Sequence, residues 1–242
     1  YILAACNGQI EVMKYLEKEH NWDIHTKNKT GSDAYILASC HGRIEVMKYL
    51  EKEHNWNIYT KNNDGEDAYL IASGNGQLEV IKYLDKFHNW NIHSKNNKGL
   101  DAYLYASCTG GLTIMKYLEK ECNWNIHTMS TYGGDAYILA LLNGRLDIMK
   151  YLEKEHNWNI HVTDNSGAGV LYLARYHLHI VKHLTRLFKK EEYILVSENK
   201  NTECYICLNQ FGEGDKYCKC SNGHIFHDDC YIDYILSDVK QD

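Results

Sequence analysis

Tryptophan recurs at Trp22, Trp56, Trp90, Trp124 and Trp158, a constant 34 residues apart. A period this regular specifies an array of one repeated unit, because equivalent residues at constant spacing must meet equivalent neighbours. Each unit then buries its apolar face against the next, and the core is renewed along an elongated body. The ruler stops before the C-terminus. There Cys204-Tyr205-Ile206-Cys207 opens a cluster of cysteines and histidines that runs to Cys230.

Within the period, two glycines stand 11 residues apart: Gly31 and Gly42, Gly65 and Gly76, Gly99 and Gly110, Gly133 and Gly144. They mark two places where the backbone needs positive φ or a tight turn. Between them Asp33, Asp67, Asp101 and Asp135 precede Ala-Tyr and an apolar run. Aspartate there can accept a hydrogen bond from the first turn of a helix, which predicts an N-cap. After the second glycine, Ile44-Glu45-Val46-Met47-Lys48-Tyr49-Leu50 predicts another helix, with Ile44, Met47 and Leu50 on its buried face. Asn-Trp-Asn-Ile-His and a polar, Gly-bearing tip complete the unit. The module reads as helix, tight loop, helix, extended return.

The unit resembles the ankyrin repeat, through its G-x-L-E-V-[IM]-K-Y-L segment and Asn-x-x-Gly tip, over residues 1–187. Two departures stand out. Asp-Ala-Tyr replaces the family's Thr-Pro-Leu start, and the period is 34 residues rather than the family's usual value of about 33. The extra residue is expected in the Glu-His-Asn-Trp return. A tetratricopeptide array shares the period, but it would place Trp inside its first helix and Pro near the unit's end. Here Trp follows the second helix and proline is absent. The expected fold class is therefore an all-α ankyrin-repeat solenoid. Tyr1 falls at the third position of a first helix, so the first unit is partial and the chain is expected to be a piece of a longer protein. In the last unit Gly169 replaces the capping aspartate, and the stretch Ala174-Arg175-Tyr176-His177-Leu178 is two residues short and lacks the second glycine. Degeneration of this kind suits a terminal unit that must face water. Residues 188–203 read as a charged connector, and 204–242 as a zinc-binding segment.

The family resemblance implies that the array binds a target protein through hairpin tips and first helices along one concave surface. Tips vary while the framework does not. Among them Asp64, Lys98, Met129 and Tyr132 are the expected target contacts, the last two for their apolar area. Other recurrent residues read as structural. His25, His93, His127 and His161 sit in register, but neighbouring helices lie about 8–10 Å apart, whereas a zinc–imidazole bond is about 2.0–2.1 Å. Cys6, Cys40 and Cys108 read as small buried hydrophobes, the recurrent Trp and Tyr as packing residues, and Glu17-Lys18-Glu19 as a solvated face. With 26 Lys+Arg against 32 Asp+Glu the net charge is −6, and no basic run is long enough to hold nucleic acid non-specifically. No apolar stretch approaches the roughly 18 residues that span a membrane. Four cysteines inside the repeats without a pairing rule, and five crowded into residues 204–230, suit a reducing, intracellular and cytoplasmic setting with one metal-binding segment.

From Cys204 the spacing is C-x2-C, twelve residues, Cys220, three residues, His224, two residues, His227, two residues, Cys230. Thiolates and imidazoles grouped this way are zinc ligands. The segment resembles the first six ligands of a RING finger, whose ligands interleave. That resemblance implies one complete site from Cys204, Cys207, His227 and Cys230, and half of a second from Cys220 and His224. An alternative takes Cys218 and Cys220 as third and fourth ligands and leaves His224 spare. The closing C-x2-C pair is expected beyond Asp242. RING fingers bind a ubiquitin-charged conjugating enzyme and orient its thioester. In that role Ile206 matches the usual apolar contact, while Tyr234 stands where the family usually has Trp. The implied protein is an array that selects a target, joined to a finger that recruits ubiquitin transfer. The competing expectation is a binding scaffold whose zinc segment is structural. The Asn-, Lys-, Ile- and Tyr-rich units also resemble ankyrin proteins of giant DNA viruses of amoebae, which would make the targets host proteins.

Overall fold

The computed structural model describes residues 1–88, 90–165, 169–191, 217–219 and 225–227, the strands and parts of the last two helices by backbone alone. Two compact units divide the chain, Tyr1–Gly167 and Ala168–Asp242.

The first unit is built of helix pairs. The first helices are α1 (Ile2–Asn7), α3 (Ala34–Cys40), α5 (Ala68–Gly74), α7 (Ala102–Thr109) and α9 (Ala136–Leu142). They form one layer, each packed on the next. The second helices, α2 (Ile10–His20), α4 (Ile44–His54), α6 (Leu78–His88), α8 (Leu112–Cys122) and α10 (Leu146–His156), each lean on their own first helix. Helices of this length are marginal alone, so side-chain caps and packing decide where they begin and end. Asp33, Asp67, Asp101 and Asp135 take extended backbone, and the Oδ1 of each accepts the amide of the residue three on, at 2.9–3.0 Å. The predicted N-caps are therefore present. The second helices α2, α4, α8 and α10 are stopped differently. Asn21, Asn55, Asn123 and Asn157 turn left-handed at φ 45–48, a conformation asparagine tolerates better than most residues. The amide of the following Trp then closes on the carbonyl of Leu16, Leu50, Leu118 or Leu152.

The core repeats as the period demands. Tyr35, Tyr69, Tyr103 and Tyr137 are fully buried, as are Met47, Leu50, Ile81, Leu84, Met115, Leu118, Met149 and Leu152. The expected buried face of α4 is shifted slightly: Val46, Met47 and Leu50 are buried, and Ile44 is only half-buried. Trp56, Trp90, Trp124 and Trp158 occupy equivalent surroundings. Each indole lies against a ring from the preceding unit, His25, Tyr59, His93 and His127 respectively, with centroids 4.7–4.9 Å apart. The in-register imidazoles of His25, His93 and His127 are thus stacking partners, and Tyr59 does the same work where histidine is missing.

The expectation that Glu17-Lys18-Glu19 is simply a solvated face is corrected at its first residue. Glu17 is 19% exposed in its side chain. It accepts the Tyr1 hydroxyl at 2.6 Å and the Tyr49 hydroxyl of the next unit at 2.8 Å. The same clamp recurs at Glu51, which accepts from Tyr35 and Tyr83, and at Glu119, which accepts from Tyr103 and Tyr151. A histidine of the following unit (His54, His88 or His156) lies 3.1–3.3 Å from each glutamate. A charge in such a place is held by bonds to its two oxygens, so the ladder ties unit to unit.

One rung differs. Asp85 replaces Glu and Cys122 replaces His. Tyr69 and Tyr117 both donate to Oδ2, Cys122 Sγ lies 3.9 Å from it, and Oδ1 is buried without a partner. Burial raises the Asp85 carboxyl above its ordinary value, and burial beside Asp85 pushes the Cys122 thiol up to about 11. An unpaired buried acceptor is costly. The double change Asp85→Glu with Cys122→His, which restores the neighbours' rung, is therefore expected to stabilise the chain by on the order of 1 kcal/mol. A carboxyl raised by folding contributes most below its unfolded value of 3.8 and less as pH rises through the folded value. The gain should therefore be larger at neutral pH than at pH 3.8, read from urea midpoints at both. An unchanged or lower midpoint in the double variant would show that the shorter rung is not a weak point.

The second unit holds α11 (Val170–Leu173), a 3-10 turn (Ala174–Tyr176), α12 (Leu178–Glu191) and two strands, β1 (Tyr217–Lys219) and β2 (Ile225–His227). Its buried Ile180, Val181 and Leu184 come two residues sooner than the 34-residue period from Ile148, Met149 and Leu152 would place them. That is the two-residue shortening read from the sequence. The strands pair antiparallel, Tyr217 opposite His227. The repeats are helical as expected, and the strand pair belongs to the cysteine-rich segment. Among the described residues no helix is long and apolar enough to cross a membrane.

Candidate protein-binding face

The tips are rigid because their backbone is bonded in two directions. Within a tip, Oδ1 of Asn28, Asn62 and Asn96 accepts the amides two and four residues on, at 2.9–3.0 Å. Between tips, the amides of Asn63, Asn97 and Thr131 donate to the carbonyls of Thr30, Asp64 and Lys98 at 2.9–3.1 Å. Close approach also explains the tip glycine. At Gly65, with φ +76, a Cβ would lie 2.4 Å from Asn97 Oδ1. These bonds hold the expected contacts Asp64, Lys98, Met129 and Tyr132 at the exposed apex, with Met129 51% and Tyr132 70% exposed.

Beside the tips, the first helices present a half-buried apolar row in one register: Leu37, Ile71, Tyr105 and Leu139. It adjoins the base of the tips, since a Cβ on Gly134 would touch Leu139 Cδ2 at 3.3 Å. Sequence reading missed the centre of this row. Tyr105 stands where its equivalents are Leu or Ile, and its hydroxyl donates to Glu66. Glu66 also accepts from Asn62 at 2.8 Å and Asn96 at 3.4 Å, and is 8% exposed. The Tyr105 ring occupies the space over Gly74, where a Cβ would sit 2.3 Å from the ring. Cys40 and Cys108 fill the equivalent register of Gly74, and Ser32 and Leu100 that of Glu66. Three departures from a near-constant repeat therefore meet at one spot. The signal was available as register deviations, but only contact joins them.

Burial disfavours the thiolate form of the described cysteines. Cys6, Cys40 and Cys108, expected to be small buried hydrophobes, are half-buried, and burial raises each thiol, Cys108 to about 11. Among the described residues no group of three His, Cys, Asp or Glu could hold a metal.

The family described as ankyrin repeats (3 copies) matches residues 1–96 and 70–166. The chain belongs to the ankyrin-repeat family. A solved structure described as the Bd0816 predatory endopeptidase from Bdellovibrio bacteriovorus in complex with immunity protein Bd3460 contains a similar chain. The two share 22% identity with a TM-score of 0.57, over 76% of this chain and 96% of that one. At that identity the likeness speaks for the ankyrin fold. No curated protein matches the chain. The expected ligands and contacts Cys204, Cys207, Cys220, His224, Cys230, Ile206 and Tyr234 lie outside the described residues. His227 ends β2, and only its backbone is described.

Proposed function

We propose that this ankyrin-repeat chain is a protein-interaction scaffold whose tips and first helices hold a target protein, while residues 204–242 form a RING-type finger that recruits a ubiquitin-conjugating enzyme. The observation that carries the first half is the rigid, partly apolar edge formed by the bonded tips and the Leu37–Leu139 row. Pre-ordered backbone lowers the entropy lost on binding, and exposed Met129 and Tyr132 are residue types that interfaces favour. The second half rests on the donor set in the sequence: Cys204, Cys207, His227 and Cys230 for one zinc, Cys220 and His224 for another. Bound zinc would act structurally, fixing the loops that carry Ile206 and Tyr234 against the conjugating enzyme. Tyr234 in the usual place of Trp favours a second reading, in which the finger is a structural appendage of the scaffold.

Two measurements test the proposal. A photo-crosslinking residue at Met129 or Tyr132 should capture the target, whereas one at the exposed Glu45 of α4 should not. Equal capture from both positions, or none, removes the tip face from the reading. The full-length protein should carry zinc that Cys204→Ser with Cys207→Ser lowers, and should autoubiquitylate with a panel of conjugating enzymes. Zinc bound without any transfer removes the ligase half and leaves the scaffold.

A further inference from the structure

An acidic chain presents its target-facing edge with the opposite sign. Lys27, Lys29, Lys61 and Lys98 are exposed in the tips, and their ammonium groups bond to no side chain or backbone group among the described residues. Lys95 lies 4.0 Å from Asp101. Of the acids in these three tips only Asp64 is exposed: the capping Asp33, Asp67 and Asp101 are buried at helix N-termini, and Glu66 is buried and engaged by Tyr105, Asn62 and Asn96. The whole chain carries −6, so a basic edge beside the apolar row is a local feature and not an average one. At its centre stands Tyr105, an aromatic held by Glu66 and fitted over Gly74. A fixed tyrosine loses little side-chain freedom on binding, and such residues dominate the energetics of interfaces.

From this juxtaposition we infer that the partner is a protein segment that is both acidic and apolar. Its Asp and Glu side chains face the tip lysines, and its apolar side chains lie on Tyr105 and on the flanking Leu37, Ile71 and Leu139. Charge complementarity selects the sign of the partner and steers its approach. The Tyr105 row distinguishes it from a bare polyanion, which needs no apolar surface. This inference rests on the reading of the array as a target-binding scaffold.

The test selects random displayed peptides on the full chain and titrates the enriched ones by fluorescence anisotropy at several salt concentrations. Two variants accompany the native chain. One is Lys27→Glu with Lys61→Glu and Lys98→Glu, all exposed positions. The other is Tyr105→Leu with Gly74→Cys, which places in those registers the residues that Leu37, Leu139, Cys40 and Cys108 already supply, so the fold is retained. Enriched peptides should carry excess Asp and Glu together with large apolar residues. The lysine variant should bind them at least about tenfold more weakly and with a flatter salt dependence. The Tyr105 variant should weaken binding by a similar factor with the salt dependence unchanged. Neutral or basic peptides, no enrichment, or unchanged affinity in both variants overturns the inference. Competition by a single-stranded oligonucleotide as strong as that by the peptides also overturns it, because charge alone would then suffice. A target crosslinked at Tyr132 and held equally well by both variants overturns the partner chemistry and leaves the scaffold reading intact. Failure of all crosslinking removes the tip face from the scaffold reading, and this inference with it.

Discussion

Raising the pH past 10.0 is expected to unfold the array in step with tyrosine ionisation. The hydroxyls of Tyr35, Tyr69 and Tyr103 are raised far above their ordinary value of 10.0, first by burial and then by the carboxylates beside them. The sign follows from which form the fold admits. A neutral hydroxyl donates to Glu51, Asp85 or Glu119, whereas a tyrosinate would face a carboxylate in a dry site. The unfolded chain releases these protons near 10.0, and the folded chain keeps them. The stability they contribute is thus fully present below 10.0 and is lost as pH rises beyond it. Each such tyrosine lowers stability by about 1.4 kcal/mol per pH unit, so the three together give a slope of about 4. Urea midpoints measured across this range, with helical circular dichroism and tyrosinate absorbance recorded together, check it. Tyrosinate absorbance that rises fully while the helices persist would refute the account.

Tyr103→Ala is expected to cost about 3–5 kcal/mol, the range for removing a large buried ring. The ring is fully buried between units, and its loss leaves a cavity in the layer of first helices. Tyr103→Phe keeps the ring and removes one donor from Glu119, which still accepts from Tyr151 at 2.5 Å and lies 3.1 Å from His156. That change should cost only about 1 kcal/mol. Urea unfolding of the full chain reads both values. Similar losses from the two variants would mean that the hydroxyl, and not the ring, holds the units together.

Local grammar was legible in the sequence because it acts within one unit. Aspartate in extended backbone just ahead of a helix caps its first turn without help from another unit, and Asp33, Asp67, Asp101 and Asp135 all bond as expected. The two-residue shortening in the last unit was legible too, since Ile180, Val181 and Leu184 only had to be counted. Glu17 was misread for the opposite reason. Its partners Tyr1 and Tyr49 lie 16 and 32 residues away, and periodicity on its own helix points it toward water. The triangle of Glu66, Gly74 and Tyr105 escaped likewise, because each member looks like ordinary drift until the next unit is laid against it. The expected tip contacts were chosen by their variability, which says that they are free to change but not what they touch.

A spacing of 34 residues, recurring glycines and capping aspartates determined by themselves that this chain is a stack of helical pairs. Those signals are local, and each stabilises its own turn or helix wherever the chain goes. Tertiary structure alone decided which side chains meet across units. Histidine stacks on the next indole, glutamate accepts from two tyrosines, and the tips join into one bonded edge. Such contacts depend on the distance between neighbouring helices, a quantity set by how closely buried side chains pack and written at no single position of the chain.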